Sequence, residues 1–334
     1  KLADEEIGIS TVEDFIAFTH LINGEAYGER SLEEFGEKTG ENMTYYLLND
    51  LTFTEEESAQ VQMIGKYGTT TSSVKRLFDD VFDGKGHSLI NLQFNAPVGG
   101  YYYAGLFSGI SSTGVVKDLV LEQAVYNKES DTKTTTFLAG LNRGEINNCI
   151  LRNCVINAIR DDCEFGCLTN RNEGIIINCH IDKVNLKNEI FKGSAITQSN
   201  SNGKIINCAI TYCNFNKIKY PGGFICNTIS NGEIQNCYLK GNEGNKNHVI
   251  CLQATDSNIR CCYYDSSSKV PIGNLSTISP SDSIMKYVST AEEKGILPTI
   301  LNQWILDSGK RLFPHLTFLS WEKGETLPAI LVSP

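Results

Sequence analysis

No run of apolar residues in this chain is long enough to cross a bilayer. The longest are short ones such as Ala329-Ile330-Leu331-Val332, so no transmembrane span is expected. Basic charge is also scarce. Lys and Arg number 29 against 39 Asp and Glu, a formal net charge of −10 in 334 residues. An acidic chain without a basic cluster argues against nucleic acid, and against sulfated or uronic-acid polymers, as partners. The motifs of common hydrolases are missing as well. There is no H-E-x-x-H and no His-x-His for zinc, no G-x-S-x-G elbow and no phosphate-cradling GxxxxGK loop. The five histidines, His20, His87, His180, His248 and His315, are scattered. No cofactor and no metal site is expected from these residues. Charged residues make up only 20%, too few for a disordered chain, and hydrophobic residues at 41% suffice for a core.

What is present is a repeat. Gly144–Leu151, Gly174–Ile181, Gly203–Ile210 and Gly232–Leu239 share the pattern G-x-I-x-N-C-x-[IL], with starts 30, 29 and 29 residues apart. Weaker copies begin at Tyr46, His87, Gly114 and Ser257, making eight. Apolar columns recur two residues after each start (Val116, Ile146, Ile176, Ile205, Ile234), five after (Cys149, Cys179, Cys208, Cys237) and seven after (Leu121, Leu151, Ile181, Ile210, Leu239). Further columns lie at ten and twelve after (Cys154 with Ile156, Cys213 with Phe215) and at seven before (Phe137, Cys167, Ile196, Ile225). Alternation with period two means strand, and about 29 residues with three such runs leave no room for helices. The pattern predicts an all-β solenoid, a parallel β-helix of about eight three-strand coils stacked roughly 4.8 Å apart. Each buried Ile or Phe in the columns contributes about 1.5–3 kcal/mol.

Four residues after the starts stand Asp50, Asn91, Asp118, Asn148, Asn178, Asn207, Asn236 and Cys261. The odd spacing between the inward positions two and five demands a bend there. Asn and Asp tolerate left-handed backbone, and stacked amides can bond along the axis, so an Asn ladder at a corner is expected. Cys149, Cys179, Cys208 and Cys237 should be free, buried thiols acting as small apolar residues. Twelve Cys in this length are too sparse for a disulfide scaffold.

Solenoids need caps. Ser10–Gly24 reads as a short amphipathic helix, with a capping box at Ser10 and Glu13 and a stop at Gly24. Residues 1–44 are thus an N-terminal capping region, 45–270 the β-helix, and 271–334 a mixed α/β cap. Positions six after the starts (Val120, Ile150, His180, Ala209, Tyr238, Tyr263) should point outward yet are largely apolar. Part of the C-terminal stretch is expected to lie on them, the alternative being an exposed ligand face. Residues 54–80 read as an insertion between the first two coils.

The segment Phe82–Leu92, followed by Gly105-Leu106-Phe107-Ser108-Gly109, resembles the GLUG-motif β-helix proteins exported by Gram-negative gut bacteria. An upstream amphipathic helix with Leu47–Leu51, and Trp321 with Leu327-Pro328 near the end, fit the same family. The later coils keep only Ala139-Gly140-Leu141 of the Gly-Leu-x-Gly pattern. The resemblance implies a right-handed β-helix and a secreted or outer-membrane surface location, freely or through a lipid anchor upstream of Lys1. The first residue is Lys, so a leader is expected to have been removed or to lie outside this sequence. Some such proteins are joined to proteases or adhesins. The resemblance implies little chemistry.

The acidic groups at Asp79-Asp80-Asp83, Glu55-Glu56-Glu57 and Asp161-Asp162 with Glu164 form no pair on adjacent coils, as a glycan lyase or hydrolase would need. Tyr101, Tyr102 and Tyr103 follow a Pro97-Val98-Gly99-Gly100 loop and could stack on sugars or contact protein, the alternative being a strand start packed on the core. Asp161 and Asp162 are the companion candidates, the alternative being solvated loop charge. The resulting expectation is a monomeric, noncatalytic, adhesin-like binding module for a glycan or a host or bacterial surface protein. A divergent polysaccharide lyase or glycoside hydrolase is the alternative, and a structural spacer a third reading.

Overall fold

The computed structural model describes residues 6–65, 76–95, 104–128, 134–158, 163–220, 222–244, 250–265, 272–275, 285–287, 291–324 and 330–332. Parallel strands wind into a solenoid. Its first face stacks eight parallel strands in chain order, from Asn42–Tyr46 through Glu145–Asn147 and Ile175–Ile177 to Asn258–Arg260. Gly36–Thr39 joins this face antiparallel at its N-terminal edge. The second face runs from Leu51–Thr52 through Ile150–Arg152 to Met285–Tyr287, the third from Gln93–Asn95 to Glu243–Gly244, and the fourth from Phe107–Ile110 to Ile272–Leu275. Register is strict: Val116, Ile146, Ile176, Ile205, Ile234 and Ile259 pair in one column, all at most 1% exposed.

The coil carries four strands rather than the three runs read from the sequence, because the bend at position four splits one run in two. In three consecutive coils a further short strand, Thr134–Thr135, Glu164–Gly166 and Lys192–Ser194, stacks parallel as well. Asn91, Asp118, Asn148, Asn178, Asn207, Asn236 and Cys261 all adopt φ of 52–60° there. Asp50, in the first coil, is outside this set. Its carboxylate instead accepts the Ser88 N–H at 2.8 Å. A second left-handed corner follows five residues later, at Gln123, Asn153, Lys183, Tyr212 and Gly241.

The corner amides form the expected ladder. Asn207 Nδ2 donates to Asn178 Oδ1 and Asn236 Nδ2 to Asn207 Oδ1, each at 2.8 Å. Lower down, Asn148 donates to Asp118 Oδ1 at 2.6 Å, while Asn178 reaches Asn147 rather than Asn148. The ladder ends at Asn236, whose Oδ1 has no hydrogen-bond partner among the described residues, since Cys261 in the next coil has no amide to offer. A second ladder lies on the fourth face: fully buried Asn142 donates to Asn172 at 2.8 Å, and Asn172 to Asn200 at 2.7 Å.

The cysteines are free, and all but Cys261 are buried. Each ladder thiol donates to the carbonyl two residues earlier, as Cys179 does to Ile177 at 3.3 Å and Cys208 to Ile206 at 3.2 Å. Burial pushes the Cys154 and Cys213 thiols up to about 12, so they stay protonated and act as small apolar residues.

The N-terminal helix spans Val12–Ile22 and closes the first coil. Its capping box is Thr11 with Asp14, one residue later than Ser10 with Glu13. Both pairs satisfy the motif; Phe15 and Phe18 face the coil, where Phe15 meets Phe53 and Phe82 and Phe18 meets Tyr45. At the other end, a helix at Ala291–Trp304 and the segment after it lie on the outer surface of the first two faces. Leu297, Leu301, Trp304 and Trp321 cluster with Ile177, Ile206, Ala209, Tyr238 and Tyr263. The extended segment docks on the Asn ladder: Asn178 donates to Thr317 O, Asn207 donates to Leu319 O, and Trp321 Nε1 donates to Asn207 Oδ1 at 2.6 Å. Among the described residues no helix is long and apolar enough to cross a membrane.

Candidate functional site

Coil building uses up most of the regular side chains, so a site is sought where the chain departs from the repeat. The insertion after Thr54 makes such a place. It opens with a one-turn helix, Glu55–Ser58, capped by Thr54 and Glu57. Ile64 then pairs parallel with Phe107, and Phe78 with Ile110, extending the fourth face. Beside this join, between residues 58–63 of the insertion and the coil, lies a cavity of about 330 Å³. Ala59, Val61 and Met63 form one wall; Leu92, Phe94 and Leu106 form the other. Asn23, Glu25, Ser58, Gln62 and Gln93 supply the polar lining, with Tyr126 beside them.

The polar groups are held in place from several directions. Gln62 Nε2 donates to Glu25 Oε2 at 2.7 Å, and Asn23 Nδ2 to the Met63 carbonyl at 2.9 Å. Asn23 Oδ1 accepts the Gly65 N–H at 2.8 Å. Gln93 Oε1 accepts from Asn127 Nδ2 at 3.2 Å. The result is a preformed concavity with apolar walls and a mostly neutral polar lining, in which Glu25 is the one carboxylate among the described residues. Such a lining suits an uncharged polar ligand with an apolar face.

All five residues proposed from the sequence fall outside the described residues: Tyr101, Tyr102 and Tyr103, and Asp161 and Asp162. In sequence, the tyrosines run directly into Ala104, which lines the cavity. The aspartates run directly into Cys163, which is buried in the core. The cavity itself was not legible in the sequence, because its lining comes from five separate stretches of chain; the only signal was the insertion's break in the repeat.

The second face carries a hydrogen-bonded relay at His180. Thr211 donates its one hydroxyl hydrogen to Asp182 Oδ1 at 2.6 Å, so at 2.8 Å it accepts from His180, whose Nε2 carries the proton. Thr211 is fully buried, which makes the relay structural rather than a nucleophile open to substrate. Burial lowers the His180 pKa to about 4, against the opposing pull of Asp182 and with help from Arg152. A depressed histidine contributes stability that is present above its unfolded pKa, near 6.5, and is lost as pH falls toward 4. Between pH 7 and 4.5 wild type should therefore lose about 2 kcal/mol more than His180→Gln, allowing for the part of the ring that meets water. Urea unfolding at the two pH values checks this; parallel losses in both proteins would refute it.

Among the described residues no group of three or more metal-ligating side chains could hold an ion. No family model matches the chain, and no curated protein does. Among solved structures the chain is similar to a putative immunoglobulin A1 protease from Bacteroides ovatus, at 14% identity and a TM-score of 0.47, over 98% of this chain and 93% of that one.

Proposed function

We propose that this chain is a noncatalytic binding module of a secreted or outer-membrane surface protein, of the GLUG-motif kind, that holds a glycan or a protein segment. The observation that carries the reading is the cavity of about 330 Å³ behind the insertion. It is apolar in its walls and lined by Asn, Gln and a single Glu. That lining offers hydrogen bonds and a stacking surface and, among the described residues, no second carboxylate for the acid–base pair of glycoside cleavage. Tyr101–Tyr103, next to Ala104 in sequence, would add aromatic area to a bound sugar or peptide.

Ala59 is exposed on the cavity wall, so Ala59→Trp should fill the space without disturbing the core. Ligand-observed NMR against a panel of neutral oligosaccharides and peptides should show a ligand for the wild type. Ala59→Trp should weaken it at least about tenfold, and Tyr102→Ala less. The same panel should release no reducing ends or cleaved peptide. Measurable turnover would replace the binding module with an enzyme, and undiminished binding in Ala59→Trp would remove the cavity from the reading.

A further inference from the structure

The acidic balance of the whole chain conceals a basic stretch. Residues 183–220 hold six lysines (183, 187, 192, 204, 217 and 219), no arginine and one acid, Glu189, a net of 6 − 1 = +5 in a chain of −10. Winding brings most of them to one corner. Lys204 lies apart on the first face, paired with Glu233. The others belong to the turns around the third-face strands Asn185–Leu186 and Asn214–Phe215 and the start of Lys192–Ser194.

Consecutive coils align these turns. Ile190 and Ile218 are buried and pair parallel, which leaves their neighbours on the outside. Lys187, Lys217 and Lys219 are exposed, and Lys217 Nζ donates to the Lys187 carbonyl at 2.6 Å. One residue further, the Tyr220 N–H bonds to the Phe191 carbonyl, and the two rings meet with centroids 4.6 Å apart. Tyr220 is 47% exposed. Lys192 Nζ sits 5.1 Å from the Phe191 centroid and 3.8 Å from Glu164. Gln198 holds the other oxygen of that Glu164 at 2.9 Å.

Tyr220 thus presents a half-exposed ring, packed on Phe191, beside several ammonium groups. The C–H face of a pyranose ring stacks on an aromatic ring, and a carboxylate on that sugar meets an ammonium. We infer that the Phe191–Tyr220 corner, with Lys187, Lys192 and Lys217, is a binding site for a carboxylated glycan, a uronic- or sialic-acid-containing oligosaccharide. The inference goes beyond the cavity reading, which suits an uncharged ligand, and names a charged sugar class at a surface that shares no residue with the cavity. The chain's net charge opposes such a ligand at long range. Glu189, Glu164 beside Lys192 and Glu243 beside Asn214 and Asn216 offset part of the lysine charge at the corner, so the ring pair supplies the stacking surface and the ammonium groups act only at contact range.

Calorimetric titration of the full chain with oligogalacturonates and sialyl-oligosaccharides tests this, with neutral gluco-oligosaccharides, heparin and single-stranded oligo(dT) as comparisons. At least one carboxylated series should bind, and affinity should fall with rising salt. Tyr220→Ala should weaken it about tenfold by removing the stacking surface, and Lys217→Glu with Lys187→Glu at least as much. These side chains are exposed, so the melting temperature should stay near wild type. Ala59→Trp should leave this binding unchanged, which separates failure of the corner from failure of the cavity. The inference is overturned by no binding of either acidic series, by affinity insensitive to Tyr220→Ala, or by tighter binding of heparin or oligo(dT), which would mark a charge-only or nucleic-acid surface.

Discussion

Asn207→Leu should cost about 4 kcal/mol or more and release the C-terminal segment from the solenoid. Asn207 is fully buried and sits at φ 56°. Its Nδ2 donates to Asn178 Oδ1 at 2.8 Å and to the Leu319 carbonyl at 3.0 Å; its Oδ1 accepts from Asn236 at 2.8 Å and from Trp321 Nε1 at 2.6 Å. Leucine keeps the volume and loses all four bonds. The stranded buried partners cost about 1–3 kcal/mol each where they find no substitute, and a left-handed leucine adds about 1 kcal/mol. Loss of the docked segment would uncover Ile177, Ile206, Ala209, Tyr238 and Tyr263, an apolar strip that should bind hydrophobic dyes and aggregate. Asn207→Asp tolerates the same backbone and keeps both acceptor bonds, so it should fall between wild type and Asn207→Leu. Urea unfolding with dye binding and limited proteolysis reads the outcome. A leucine variant with wild-type midpoint and an uncut C-terminal segment would show that the ladder does not hold it.

Gly144→Ala should abolish soluble folded protein or cost more than about 4 kcal/mol. A Cβ at Gly144 would lie 2.1 Å from the Gly114 carbonyl oxygen and 2.3 Å from that of Ser111. Both contacts are backbone, so neither can rotate away, and relief requires the coils to separate. The same closeness recurs at Gly174, 2.2 Å from the Gly144 oxygen. Gly144 and Gly174, with Gly114 at 2.3 Å from the Phe78 oxygen, are thus required by close backbone stacking rather than by their own dihedral angles. Gly295→Ala is the control. It lies exposed within Ala291–Trp304 with nothing within 4 Å of the added methyl, and it should stabilise by about 0.5–1 kcal/mol. Thermal melts of both variants decide the point, and a Gly144→Ala protein that melts like wild type would refute it.

The sequence by itself determined the solenoid, its period and most of its core. In a stacked repeat each coil touches only its neighbours. The requirements at Ile146, Cys149 and Asn148 therefore return at Ile176, Cys179 and Asn178, and can be read by alignment alone. The second corner was not legible, because Gln123, Lys183 and Tyr212 carry no preference for the left-handed backbone they adopt. It follows instead from register with Asn153 and Gly241 in the same column. The buried ladder of Asn142, Asn172 and Asn200 was hidden for a related reason: asparagine at a strand position looks outward until the neighbouring coils supply its partners. Only the tertiary structure decided what the corner ladder does beyond closing a bend. Its contacts to Leu319 and Trp321 join residues 112 and 114 apart, a pairing no local pattern encodes. The cavity walls and the lysine corner arise in the same way. Winding collects residues from separate coils onto one edge, and a net charge summed along the chain averages that edge away.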